Sequence, residues 1–314
     1  MKRLNKIRVQ QTIKIVSSFL VLIFFLCSCQ TVIHPTLDKA PSVLVVSGWL
    51  NNKPEKQIIQ LTMTESYFAD RLPPGVSGAT VTVTDNLNNI FYFTDDGTNT
   101  GTYQWTPAPG NNLGTVGKKY SLSVTTGGET YTATSEMKRV PPVDSISFSI
   151  SKSLRFPSGS YIAEFWSTDP KGAGDTYWIR TYKNGILLNK PSEINLAYDA
   201  GFSAGGDFDG VRFITPIRQA INPVDKDSNG KILSPYVVGD SVYVEIQSIT
   251  LAAFDHVTQV KNQTNVQGGF AALFAKPMEN VSSNITNTNP NGSTVVGFFN
   301  VSAVKGAGRR IRIK

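Results

Sequence analysis

The residues of this chain with chemistry to offer are few, and the first is a thiol. Leu26-Cys27-Ser28-Cys29 sets an aliphatic residue, a tolerated residue and a small residue ahead of a cysteine. A peptidase that cuts before Cys29 needs the small Ser28 beside the cut, with Leu26 and Cys27 completing its recognition segment. The Cys29 thiol then becomes the thioether that carries a diacylglycerol. Each buried acyl CH₂ contributes about 0.8 kcal/mol, so several chains on one residue hold a protein to lipid stably. Cys27 and Cys29 are the only two cysteines. Removal of one and acylation of the other leave no disulfide, thiolate nucleophile or cysteine metal site.

Other candidates are weaker. Gly201-Phe202-Ser203-Ala204-Gly205 has the spacing of a nucleophile elbow, which needs a strand before it and a helix behind it. EINLAYDA is a poor strand and GGDFDG a poor helix start, so a glycine-rich loop is the simpler reading. Asp207, Asp209, Asp225 and Asp240 precede His256, the only histidine beyond His34. His256 and Asp255 are adjacent, so they do not share a helix face. A lone histidine makes no zinc site of the usual ligands. Asp225, Asp227 and Asn229 alternate as oxygen ligands of a calcium loop do, with Gly230 for the turn. Tyr236 stands where that loop needs a bidentate Glu, so the segment reads first as a polar turn. No other cofactor is expected. Glu164, Asp169, Asp175, Asp207, Asp209 and Glu245 could serve a glycosidase, whose two carboxyls sit roughly 5–9 Å apart, but nothing in their spacing pairs them. Gly110–Lys118 lacks the spacing of a phosphate loop.

Aromatics are the remaining resource. Trp49, Trp105, Trp166, Trp178, Tyr161, Tyr177 and Tyr182 fall on or beside expected strands. Most should fill core; any left exposed could stack on sugar or seal a protein interface. Phe298 and Phe299 point oppositely on a strand, which predicts one ring in the core and one at the surface.

The charge balance says where the chain goes. The net charge is +7, from 30 basic and 23 acidic residues. Five of the basic residues lie in the first 28 positions, without an acid, and four lie in the last six. The body is near neutral, which removes a nucleic-acid reading. Residues 15–26 form an apolar run of 12, short of the ~20 that span a bilayer. A basic segment followed by such a run is a secretory signal peptide, here residues 1–28. With Cys29 it resembles the bacterial lipobox. Gln30, rather than Asp, follows the cysteine, so the outer membrane is the expected destination. The first acid is Asp38, and the chain could face the periplasm or the cell surface. Residues 29–41 read as a lipid-anchored tether.

The elements that must position these residues are strands. Charged residues make up 17% of the chain and it holds 26 Gly and 17 Pro, a composition of turns rather than long helices. Seven segments alternate or run β-branched, with turn residues between: Val43–Leu50, Gln57–Thr64, Ala79–Asp85, Ile90–Thr94, Tyr103–Trp105, Lys119–Thr125 and Thr130–Ser135. That pattern predicts a β-sandwich over residues 42–140. Val140-Pro141-Pro142-Val143 breaks pairing, and residues 143–314 read as a second β-rich domain. Its strands are expected at Val143–Ser151, Tyr161–Thr168, Thr176–Lys183, Ile186–Asn189, Val211–Ile214, Ser241–Ile249, Thr294–Ser302 and Arg309–Ile313. Asn184-Gly185 is a hairpin turn, residues 191–210 are irregular, and a helix is expected over 250–262.

VLVVSGWLNN, VSGATVTVTD, VPPVDSI, GDSVYVEIQSIT, KPMENVSSNI and VVGFFNVSAV occur in that order. With the lipobox they resemble a Bacteroidota outer-membrane lipoprotein family, domain of unknown function 4249. The resemblance covers almost all of the mature chain and carries no catalytic motif. It implies a mainly β fold: an immunoglobulin-like or carboxypeptidase-regulatory-like sandwich, then a second β-rich domain with one or two short helices. It also implies a TonB-dependent receptor as neighbour. The expected role is non-catalytic, binding an unidentified ligand or assisting uptake. The alternatives are an envelope hydrolase acting on glycan or peptide and a structural or adhesive surface protein.

Overall fold

The computed structural model describes residues 41–312, apart from 67–68, 155, 228 and 266–278. The expected signal peptide, with Leu26, Cys27, Ser28 and Cys29, and all but the last residue of the tether lie outside the described residues. Residues 41 onward form one compact unit.

Strict alternation builds the first sheet. In β1 (Leu44–Asn51), Leu44, Val46, Gly48 and Leu50 are buried while the residues between them are half-exposed. β2 (Gln57–Met63), β3 (Thr80–Asp85), β4 (Ile90–Asp95), β5 (Thr102–Trp105), β6 (Lys119–Thr126) and β7 (Glu129–Glu136) follow at the expected places. Late strands complete the sheet: β14 (Thr286–Asn287) pairs with β7 and β15 (Val295–Ser302) runs parallel to β1. The order is β14-β7-β6-β3-β4-β5-β2-β1-β15. Residues 42–140 therefore share this sheet with strands from beyond residue 280.

The sheet folds over so that its two halves enclose Val46, Ile59, Leu61, Val83, Tyr103, Tyr120, Leu122 and Val301. β4 joins the halves, since Thr94 pairs with Gln104 of β5 while Phe93 pairs with Val81 of β3. At the opposite side Val301 N donates to Ser135 Oγ of β7, 2.9 Å. Gly297 has φ +123°, and a Cβ there would lie 2.0 Å from Val46 O. Glycine is what lets β15 lie against β1.

β8 (Ser145–Ile150) and β9 (Tyr161–Trp166) form a separate ribbon. The second main sheet has the order β11 (Ile186–Leu188), β10 (Thr176–Lys183), β13 (Ser241–Ile249), β16 (Val304–Arg310), with β12 (Asn195–Tyr198) also on β10. Tyr177, Ile179, Val244 and Ile246 pack inward with Phe213 and Tyr236. The chain crosses from β15 to β16 at the buried Ala303, whose N–H reaches Ser248 Oγ at 3.0 Å. The helices are α1 (Thr215–Gln219) and α2 (Leu251–Thr264), the latter capped by Thr250 Oγ1 accepting from Ala253 N. None in the described residues is long and apolar enough to cross a membrane.

Four expectations change. Phe298 and Phe299 are both buried, because Trp49, Trp178 and α2 cover the face that Phe298 was expected to show to water. Residues 191–210 contain β12, and Val211–Ile214 makes an isolated bridge from Arg212 to Thr168 before α1. The last strand begins at Val304, five residues before its expected start.

Candidate functional site

The loops at one end of β10 bring carboxylates together. Asp169 follows β9, Asp199 follows β12, and Asp209 sits in the glycine-rich loop. Their oxygens lie within 4.8 Å of one another. Asp169 and Asp199 are buried and Asp209 is exposed. Asp169 Oδ1 accepts from Tyr177 Oη at 2.6 Å and Oδ2 from Gly210 N at 3.2 Å. Asp199, at φ +49°, accepts from the amides of Gly174 and Asp175. Gly172 N donates to Asp209 Oδ1 at 2.7 Å. Arg139 is engaged beside them: it bonds Asp175 and the carbonyls of Pro170, Lys171 and Gly172. Burial pushes the Asp169 carboxyl above its ordinary value. The Tyr177 hydroxyl and Gly210 amide pull back, and the charges of Asp175 and Asp199 push further up. Oxygens so gathered can share a proton or face a hard cation, and among the described residues no lysine or arginine forms an ion pair with any of the three.

Two of these acids, Asp169 and Asp209, were named from the sequence. Asp199 was missed; its one signal was an acid before Ala-Gly, where a turn needs positive φ. The other expected candidates have separate partners. Asp225 pairs with Lys190. Asp227 Oδ1 accepts from the amides of Asn229 and Lys231, which closes a turn inside the Lys226–Ile232 bridge. Asn229 donates its amide to that turn, and Ser228 lies outside the described residues. Glu164 pairs with Arg218 at 2.8 Å, and Glu245 with Lys53 at 3.0 Å. Asp240 bonds Lys183 and Asn184. His256 Nδ1 meets Ser282 O, and its ring lies 4.5 Å from that of Phe298. Burial holds its pKa below the ordinary value, against the upward pull of Ser282. Ser203 lies exposed in a loop whose Gly201 and Gly206 leave room for the Phe208 ring.

Aromatics and arginines line two open concavities. One, about 870 Å³, runs between β8 and β16 past Phe148, Tyr161, Arg309, Arg310 and Arg312. Arg309 donates to Ile146 O and sits 5.7 Å over the Phe148 ring. The other, about 280 Å³, lies beside Trp178 and Arg180. Arg180 was also missed. A charge between two aromatics on an alternating strand was its signal.

The fold and these surfaces define a mainly β protein with a large, nearly closed first sheet and a second sheet that carries loop-built recesses. Residues 30–306 match the family model described as Domain of unknown function (DUF4249), and the chain belongs to that family. Comparison with curated proteins gives no match.

Proposed function

We propose that this chain is a non-catalytic lipoprotein of a Bacteroidota outer membrane, held there by acyl chains on Cys29. It binds a ligand or assists a TonB-dependent receptor in nutrient uptake. The observation that carries this reading is the lining of its two open concavities, where aromatic rings and arginines stand rather than acid–base pairs. Such surfaces hold ligands and partners. The ion pairs of Glu164 and Glu245 and the loop contacts of Asp227 support the same reading, because each gives a structural use to a side chain that catalysis would need free. The short apolar run and the Leu26–Cys29 segment support the anchor and its location.

The test is affinity purification of the full-length protein from its own outer membrane, with mass spectrometry, beside a Cys29→Ala strain. The expected result is an acylated Cys29 and a receptor recovered in near-equal amount from the parent alone. Acylated protein that brings down no receptor from the parent strain, together with unchanged uptake in a strain that lacks the gene, would overturn the accessory role.

A further inference from the structure

One side of β10 is paired with β13 along its whole length, but the other side changes partner. β12 covers Thr176–Ile179 and β11 covers Thr181–Lys183. Between them residues 189–194 swing outward through the turn Pro191–Glu193, so Arg180 faces no strand residue on that side. The gap is the cavity of about 280 Å³, with Trp178, Arg180, Leu188, Asn189, Glu193 and Ile194 in its wall.

Arg180 is held in place but not neutralised. Its guanidinium carbon lies 5.3 Å from the Trp178 ring centre and 6.0 Å from that of Tyr182, its neighbours on the same strand face. Its Nε is buried and has no hydrogen-bond partner among the described residues. The carboxylate directly across the ladder is Glu245, which is engaged by Lys53 Nζ at 3.0 Å and Gln247 Nε2 at 2.6 Å. The terminal nitrogens of the guanidinium make no ion pair among the described residues, so an acceptor that arrives with a ligand adds a charge-assisted bond there. Two rings flank the guanidinium, whose planar fork suits a carboxylate. Leucine, isoleucine and indole walls suit an apolar body. Glu193 Oε2 accepts from Lys190 N and leaves a negative charge in the wall, which disfavours ligands of higher charge.

We infer that this cavity binds a small monocarboxylate with an apolar body, its carboxylate on Arg180 and its body against Trp178, Leu188 and Ile194. The inference deepens the ligand-binding half of the proposed function and rests on it. The carboxylate could belong to a free organic acid or to the C-terminus of a peptide; both carry the same chemistry.

Calorimetric titration of the full-length chain in detergent tests this, with 4-phenylbutyrate for the free acid and N-acetyl-leucine for the peptide end. N-acetyl-leucinamide and inorganic phosphate are the controls. At least one acid should bind saturably, and the stronger of the two names the source. The amide and phosphate should bind about tenfold or more weakly. Arg180→Gln should lose the acid about tenfold, Arg180→Lys should lose part of it, and Glu193→Gln should tighten it. Melting curves of each variant confirm folding. Absence of saturable binding by either acid, equal binding of acid and amide, or an Arg180→Lys protein that is folded and unchanged, would overturn the inference. Receptor recovery in the purification experiment does not depend on these outcomes, so the two readings fail separately.

Discussion

Asp85 in the first sheet and Asp169 beneath the second are buried alike, at 3% and 2% exposure, and their surroundings treat the charge oppositely. Asp85 takes Lys118 Nζ at 2.7 Å, the Asn89 side chain, and the amides of Leu87 and Asn89. Burial alone would push its pKa up; these bonds outweigh burial and hold it well below the ordinary range. Asp169 has two donors and two carboxylate neighbours, and its pKa rises. The first region uses a buried charge to pin a hairpin. The second leaves charge unneutralised, in the acids near Asp169 and at Arg180. A closed sheet can be optimised for stability, whereas a recess that meets ligands keeps polar groups in reserve.

Closure of the first region carries the largest expected effect. Gly297→Ala would put a Cβ 2.0 Å from Val46 O, at a φ of +123° that side chains rarely adopt. The clash is with backbone, which cannot swing aside, so urea unfolding should show a loss above about 4 kcal/mol. A variant within about 1 kcal/mol of the parent would mean that β15 is dispensable and the sandwich is not closed by it.

Asp85→Ala comes next. It strips four donors of their acceptor and leaves Lys118, whose side chain is 24% exposed, without its partner. Breaking a buried pair costs about 3–5 kcal/mol, and the partial exposure of Lys118 places the loss near about 3. The sign with pH follows from the depressed pKa. The contribution is complete above the ordinary value of 3.8 and is lost as pH falls through the lower folded value. Parent and variant should therefore converge only in strong acid. A difference between parent and variant that does not change as pH falls from neutrality into acid would place Asp85 among ordinary carboxylates.

The two regions were not equally legible in the sequence. Alternation in Gln57–Met63 and Thr80–Asp85 marks a half-buried strand whatever it pairs with, and Asn184-Gly185 supplies the two positive φ values of a hairpin turn. Thr250 announces the start of α2. β16 is hidden for a physical reason. Its segment VKGAGRR has low strand propensity, yet Gly306 and Gly308 lie against the Tyr243 ring, where a Cβ at Gly306 would come within 2.3 Å of the hydroxyl. The need for glycine arises from Tyr243, more than sixty positions away. The meeting of Asp169, Asp199 and Asp209 depends likewise on how three loops are laid together, which no spacing reports.

Asp169→Asn should move stability by less than about 1 kcal/mol at pH 7, since the lost acceptor and the lost repulsion oppose each other. The pH trend is the sharper reading. A raised pKa means that the folded state holds its proton more tightly. The penalty of ionisation is absent below the ordinary 3.8, grows until the folded value is reached, and stays constant above it. The melting temperature of the variant, relative to the parent, should therefore rise with pH from acid towards neutrality. A fall would mean that a cation occupies the acids in solution and makes Asp169 a favourable charge, which would bring the two aspartates into one class.

The smallest effect concerns Glu129, at the edge where β14 joins β7. Its Oε1 accepts from Ser293 N at 2.8 Å and Asn287 Nδ2 at 3.3 Å, and its Oε2 accepts from Tyr131 Oη at 2.8 Å. The bond from the Ser293 amide leads in drawing the pKa from 4.5 to about 2, with Tyr131 next. The hold on the 287–293 turn is thus present above pH 4.5 and lost as pH falls towards about 2. An NMR titration should show the Ser293 amide shifting with a midpoint near 2, and Glu129→Gln should abolish the shift with little change in overall melting. A midpoint near 4.5 would show that the turn is free of Glu129 in solution. The margin of the first sheet would then be as loosely held as the recess beside β10, and the contrast between the regions would be confined to their cores.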